Sequence, residues 1–174
     1  NGNTAVGYFA MRYAGNQTPG VSSYNTALGY ESLRGSSNPA ANTGKSNIAV
    51  GSFSLLSNTS GYSNVAIGAS ALYTNSTRSN LVAIGDSVLY FNGYGVVSNY
   101  EATRNTAIGS KTLQYNTSGY YNVALGSEAL RNNTNGSHNT AIGDVALYNN
   151  GSGWANTAVG QTSLYFNTSG DHNT

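Results

Sequence analysis

The chain contains no cysteine, which excludes a disulfide framework; a secreted chain can do without one where stacking supplies the stability. Charged residues make up only 7% of it, against a usual ~25%. With a net charge of +1, it offers no electrostatic footprint for nucleic acid or for an anionic membrane. No stretch approaches the ~18 consecutive apolar residues of a membrane-spanning helix. Proline occurs twice, as Pro19 and Pro39, where it stiffens loops. What fills the sequence instead is Asn, Ser, Thr and Gly, with 14 tyrosines, so the surface is expected to be uncharged and rich in hydrogen-bonding groups.

These residues fall in register. Asn-x-Ala-(Val/Ile/Leu)-Gly recurs along the whole chain, with alanines at Ala5, Ala27, Ala49, Ala66, Ala83, Ala107, Ala124, Ala141 and Ala158. Five of the eight gaps are 17 residues, and the others are 22, 22 and 24. A short fixed period predicts a solenoid, whose coils cannot bury their apolar faces alone and stack on one another. The expected fold is all-β, a parallel β-roll or β-solenoid of about nine 17-residue coils forming a single segment over 1–174. At ~4.8 Å per strand this makes a rod section roughly 40–45 Å long. The motif restarts at Asn173, so the chain is expected to be a segment of a longer repeat array.

The motif reads as a short strand. Its leading column is Asn at every repeat except Leu81, and the next is β-branched: Thr4, Thr26, Ile48, Val65, Val82, Thr106, Val123, Thr140 and Thr157. Alternation puts these residues on one face with Val6, Leu28, Val50, Ile67, Ile84, Ile108, Leu125, Ile142 and Val159, and puts alanine and glycine on the other. Apolar residues on both faces predict burial on both. The bulky face is assigned to the coil interior. Ala27, Ala49, Ala66, Ala83, Ala107, Ala124, Ala141 and Ala158 are left as an outer, close-packing surface between copies. A second short strand is expected after the glycine, with Met11, Leu33, Leu55, Leu72, Leu89, Leu113, Leu130, Leu147 and Leu164 as its core column. Turns such as Asn116-Thr117-Ser118-Gly119 close the coil, and Asn stacked on Asn predicts an amide ladder. Each coil buries so few side chains against its backbone entropy that a lone column looks marginal, so a closed homo-oligomer is expected.

The strings Asn105-Thr106-Ala107-Ile108-Gly109 and Asn139-Thr140-Ala141-Ile142-Gly143 resemble the head repeats of YadA-like trimeric autotransporter adhesins. Asn122-Val123-Ala124-Leu125-Gly126-Ser127-Glu128-Ala129-Leu130, followed by Asn133-Thr134-Asn135-Gly136, is similar to repeats of large bacterial surface proteins and phage-type tail fibres. The resemblance spans all nine coils, although the adhesin heads have a shorter coil. It implies a left-handed β-roll and a homotrimer. It also implies an extracellular place on a bacterial cell surface or a fibre or tail appendage. The expected function is a structural and adhesive rod segment with glycans or host surfaces as ligands. The alternative is a purely structural filament or tail-fibre shaft with no ligand of its own.

No chemistry-bearing constellation emerges. His138 and His172 lie two coils apart and read as solvated turn residues. The acids Glu31, Asp86, Glu101, Glu128, Asp144 and Asp171 form no carboxylate pair for glycoside hydrolysis, and there is no calcium-binding nonapeptide or nucleophile elbow. The segment is therefore read as non-enzymatic, with no cofactor, no metal, no nucleic acid and no membrane insertion. Aromatics are the better lead: Tyr73, Tyr90, Tyr148 and Tyr165 follow the core leucine, joined by Phe91, Tyr115 and Phe166. They are candidates to stack on sugar rings, against the plainer reading that they shield a corner. Enlarged loops at 14–23, 35–46 and 92–104, the last carrying Tyr94, Val96, Val97 and Tyr100, are the other binding candidates. Sequons at Asn16, Asn58, Asn75, Asn116, Asn132, Asn135, Asn150 and Asn167 are expected from composition and turn chemistry. Ice binding ranks low, because the Thr column is expected to face inward.

Overall fold

A computed structural model describes residues 2–14, 22–96, 98 and 100–174. Among them each repeat contributes one three-residue strand: β1 (Thr4–Val6), β2 (Thr26–Leu28), β3 (Ile48–Val50), β4 (Val65–Ile67), β5 (Val82–Ile84), β6 (Thr106–Ile108), β7 (Val123–Leu125), β8 (Thr140–Ile142) and β9 (Thr157–Val159). They form one parallel sheet in sequence order. The register pairs alanine with alanine at every step, from Ala5↔Ala27 to Ala141↔Ala158. The fold is thus the parallel β-solenoid that the period predicts.

The two faces of the sheet are reversed relative to expectation. Ala49, Ala66, Ala83, Ala107, Ala124 and Ala141 are 0% exposed within a single chain, and Ala27 and Ala158 are also buried. The alanines therefore point into the coil and cannot form the surface between copies. The reason is interior volume. Each full coil already encloses a leucine (Leu72, Leu113, Leu130 or Leu147), a small neighbour such as Ala71, Ala129 or Ala146, and asparagine side chains. Only a methyl fits in the remaining space. The β-branched and aliphatic columns are turned outward, and every one of those side chains is exposed or half-exposed.

The segment after the glycine is a run of turns and not the expected second strand. Its second and fourth residues are left-handed in every coil, as at Ser70 (φ 57°) and Leu72 (φ 54°). The bend lets one coil bond in both directions: Ser70 N–H donates to Ser52 O behind it and Leu72 N–H to Val88 O ahead. Left-handed conformation costs a non-glycine residue roughly 1–2 kcal/mol, and the inter-coil hydrogen bonds offset that cost. The glycine itself is obligatory. Gly126 sits at φ 132°, and a Cβ there would meet the carbonyl of Gly143 in the next coil.

Two buried asparagine ladders run along the rod. In the first, each Oδ1 accepts the backbone N–H of the next rung, as Asn122 does from Asn139 at 3.0 Å, while Asn139 Nδ2 donates to Gly153 O at 2.9 Å. In the second, Asn167, Asn150, Asn133 and Asn116 each donate through Nδ2 to the preceding Oδ1 at 2.9 Å, and Asn92 and Asn75 carry it on to Asn58 at 3.3 and 3.5 Å. The same Nδ2 closes its own turn, as Asn133 does on Gly136 O at 2.9 Å. The anticipated amide ladder is therefore doubled. Asn133→Ala removes the donor to Asn116 and Gly136 and the acceptor for Asn150. At roughly 1–3 kcal/mol per buried group left unpaired, it is expected to cost about 2–4 kcal/mol in denaturant unfolding. Asn132→Ala, next door but half-exposed, should cost less than about 1 kcal/mol.

Candidate functional site

Three surfaces stand out on this scaffold. The first is the outward face of the sheet, two parallel ranks of Thr, Val, Ile and Leu nine strands long. Ile108 and Ile142 are 37% and 38% exposed in its middle, and Val159 is 68% exposed at its end. No side chain in either rank is charged.

The second is an aromatic ladder on the turn segment. Tyr73 stacks on Tyr90 at 4.7 Å and 4°, and Tyr148 on Tyr165 at 5.1 Å and 8°. Tyr115 stacks on Phe91 at 5.5 Å, and Tyr94 meets the same Phe91 edge-on at 6.3 Å. Tyr90 lies edge-on to Phe91 at 4.7 Å, which joins these groups. The structure extends the ladder beyond the expected residues to Tyr8, Tyr30 and Phe53, through contacts of 5.7, 5.2 and 6.3 Å ending on Tyr73. Tyr8 and Tyr30 share the column right after the glycine, a signal already present in the sequence.

The gap between Tyr115 and Tyr148 is filled by Arg131, which takes the place of tyrosine after the core leucine. Its guanidinium carbon lies 5.7 and 5.9 Å from the two ring centroids. It also donates to Gln114 Oε1 at 3.0 Å, Glu128 Oε2 at 2.9 Å and the Tyr148 hydroxyl at 3.1 Å. Burial works against its charge, but hydrogen bonds and charge from Glu128 and Tyr148 more than offset that and raise its pKa. Burial, and then the neighbouring Tyr73, raises the pKa of the Tyr90 phenol. The ring faces of Tyr73, Tyr90, Tyr148 and Tyr165 are thus partly covered by one another.

The third surface is the opposite corner, where the chain enters the strands. Here Tyr121 stacks on His138 at 5.1 Å, Arg104 lies over Tyr121 at 5.1 Å, and His172 packs edge-on against Trp154 at 4.3 Å. Both histidines are exposed. Among the described residues no three or more His, Cys, Asp or Glu come close enough to hold a metal ion, and no helix is long and apolar enough to cross a membrane. Tyr100 belongs to this corner and not to the ladder. With Tyr62, Asn80 and Arg104 it lines an open groove of about 450 Å³.

Of the enlarged loops, most of the first (15–21, with Asn16) lies outside the described residues, as does Val97 in the third. The loop at 35–46 holds a single turn of 3-10 helix, Pro39–Ala41. It is fastened by Asn42, which donates to Ser36 O and accepts from Ser36 N–H at 2.8 and 2.9 Å. The loop at 92–104 is fastened by Asn92 Nδ2, donating to Ala102 O at 2.9 Å, and by the Arg78 guanidinium, donating to Val96 O. Four sequon asparagines, Asn58, Asn75, Asn116 and Asn150, are buried rungs of the second ladder and cannot receive a glycan in the folded chain.

Comparison with known proteins returns no match among family models, curated proteins or solved structures.

Stacked aromatic pairs add about 0.5–1.5 kcal/mol beyond the area they bury. Tyr148→Ala also removes a partner of Arg131, and is expected to destabilise the chain by about 1–3 kcal/mol in thermal or denaturant unfolding.

Proposed function

We propose that this chain is a stiff segment of an extracellular adhesive or fibre rod, built from three copies that join through the outward faces of their sheets. The observation that supports this is the uncharged, regular Val/Ile/Leu face, which a single chain leaves in water. Contiguous apolar surface of this kind marks a contact. A regularly repeating face suits a sister copy, because each coil meets an equivalent coil. Closed symmetry conceals the face completely without starting an open aggregate. The choice of three, and of a bacterial surface or tail appendage, follows the resemblance to YadA-like heads. In this reading the concealed surface is the Val/Ile/Leu side, the alanines fill the coil, and the aromatic ladder and loops stay outside, free to touch glycans or host surfaces. A plain filament with no ligand remains the alternative for the same architecture.

Ice binding gains support from one observation. Thr4, Thr26, Thr106, Thr140 and Thr157 face outward on the sheet, which removes the objection that they point inward. The rank is interrupted by Ile48, Val65, Val82 and Val123, which favours protein contact over ordered water.

Light scattering on the purified chain is expected to give three times the chain mass. Ile108→Glu with Ile142→Glu would bury charges at the contact and should yield single chains with an unchanged far-UV circular dichroism spectrum. A wild-type monomer would sink the assembly. If that monomer also halts ice recrystallisation, the ice reading replaces it.

A further inference from the structure

The groove ahead of β4, β5 and β6 takes part of its lining from the 92–104 insertion, which interrupts the 17-residue period there. Its lining includes Tyr100, carried by the 92–104 insertion, and Tyr62, from the corner two coils earlier. Tyr62 is 47% and Tyr100 79% exposed, and among the described residues neither ring stacks on another. This sets them apart from the ladder tyrosines, whose faces cover one another. In later coils the same corner is filled by Tyr120, Tyr121 and His138 packed together.

The lining also includes Thr77 and Asn80, whose side chains make no hydrogen bond among the described residues. Arg104 is the one charged residue in the lining. Its guanidinium is held over Tyr121 at 5.1 Å and has no carboxylate partner among the described residues, whose ion pairs are Arg34–Glu31 and Arg131–Glu128. The nearby Glu101 acts on Arg78 instead, whose pKa is lowered by burial and supported by that carboxylate. The groove volume of about 450 Å³ suits a small ligand.

We propose that this groove is a subsite for an acidic sugar residue, a pyranose bearing a carboxylate. Tyr62 and Tyr100 flank the ring, Thr77 and Asn80 meet its hydroxyls, and Arg104 takes the carboxylate through its planar fork. The proposal rests on the adhesive reading for its biological meaning, but it is measured separately from assembly.

The test titrates methyl β-glucuronide and methyl β-glucoside into the full chain, followed by NMR shift changes, with the mass of each sample checked by light scattering. The glucuronide is expected to bind about tenfold tighter than the glucoside, the worth of one charge-assisted contact, and to lose that margin in high salt. Arg104→Gln should abolish the preference, Arg104→Lys should restore part of it, and Tyr100→Ala should weaken both sugars. Asn132→Ala, outside the groove, should change neither. Equal binding of the two sugars, no binding of either, or a preference that survives Arg104→Gln would overturn the subsite. A monomeric sample that still shows the preference would overturn the trimer and leave the subsite standing.

Discussion

The rest of the structure depends on the inter-coil amide register. Every coil must present its asparagine carbonyl and amide at the height of the next, or buried polar groups go unpaired at both ends of each rung. That requirement fixes the path of the chain between rungs, including the glycine that passes close over the next coil and the left-handed residues after it. It also explains how insertions are tolerated. The 92–104 excursion leaves after Asn92 and returns at Ala102, whose carbonyl accepts from Asn92 Nδ2 where a turn glycine does so elsewhere. Asn116 still donates to Asn92 across the insertion at 2.9 Å. Extra residues bulge outward while the rungs stay in step.

The same narrowness decides what faces water. A coil whose interior holds a leucine and two asparagines has space for a methyl and no more, so the strand turns its alanine in and its β-branched residues out. The polar contacts are repetitive and run along the axis beside a thin apolar core. The apolar surface that could supply more is left on the flank. A chain organised in this way buries little hydrophobic area by itself, and a sister copy on the sheet face would supply what the interior lacks.

The period, the strand column, the core leucines and the amide ladder are legible in the sequence because each depends on residue identity at a fixed spacing. The orientation of the strand is not. Alternation separates Thr140 and Ile142 from Ala141 but does not say which side is enclosed; that depends on how much volume the remaining residues of the coil already fill. The second segment misleads for a related reason. Val145 and Leu147 look like strand residues, yet both are left-handed, because the backbone there bonds to coils on both sides. The tyrosine columns are readable as columns. That Tyr148 and Tyr165 cover each other's faces, and that Arg131 bridges to Tyr115, depends on side-chain geometry that spacing does not encode.

Departures from the repeat cluster around one coil, and they share a mechanical logic. Arg78 stands where neighbouring turns have glycine, and Leu81 where other coils have the ladder asparagine. Arg78 keeps the backbone duty of the position it replaces, its carbonyl accepting from Asn64 and Asn75 at 2.9 and 3.1 Å. Its side chain is free to reach sideways and hold Val96 in the insertion. Leu81 supplies no acceptor for the next rung but is completely buried, so it trades a hydrogen bond for apolar contact at the coil that the insertion follows. A random lapse in a repeat would lose rungs without replacing them. Here the lost glycine is answered by a contact, from Arg78 to Val96, that fixes the 92–104 segment against the rod, and that segment is what carries Tyr100 and Arg104 to the groove. A rigid array is thereby locally rewritten to hold one loop in place, the arrangement expected where recognition is concentrated at a single point on an otherwise uniform shaft.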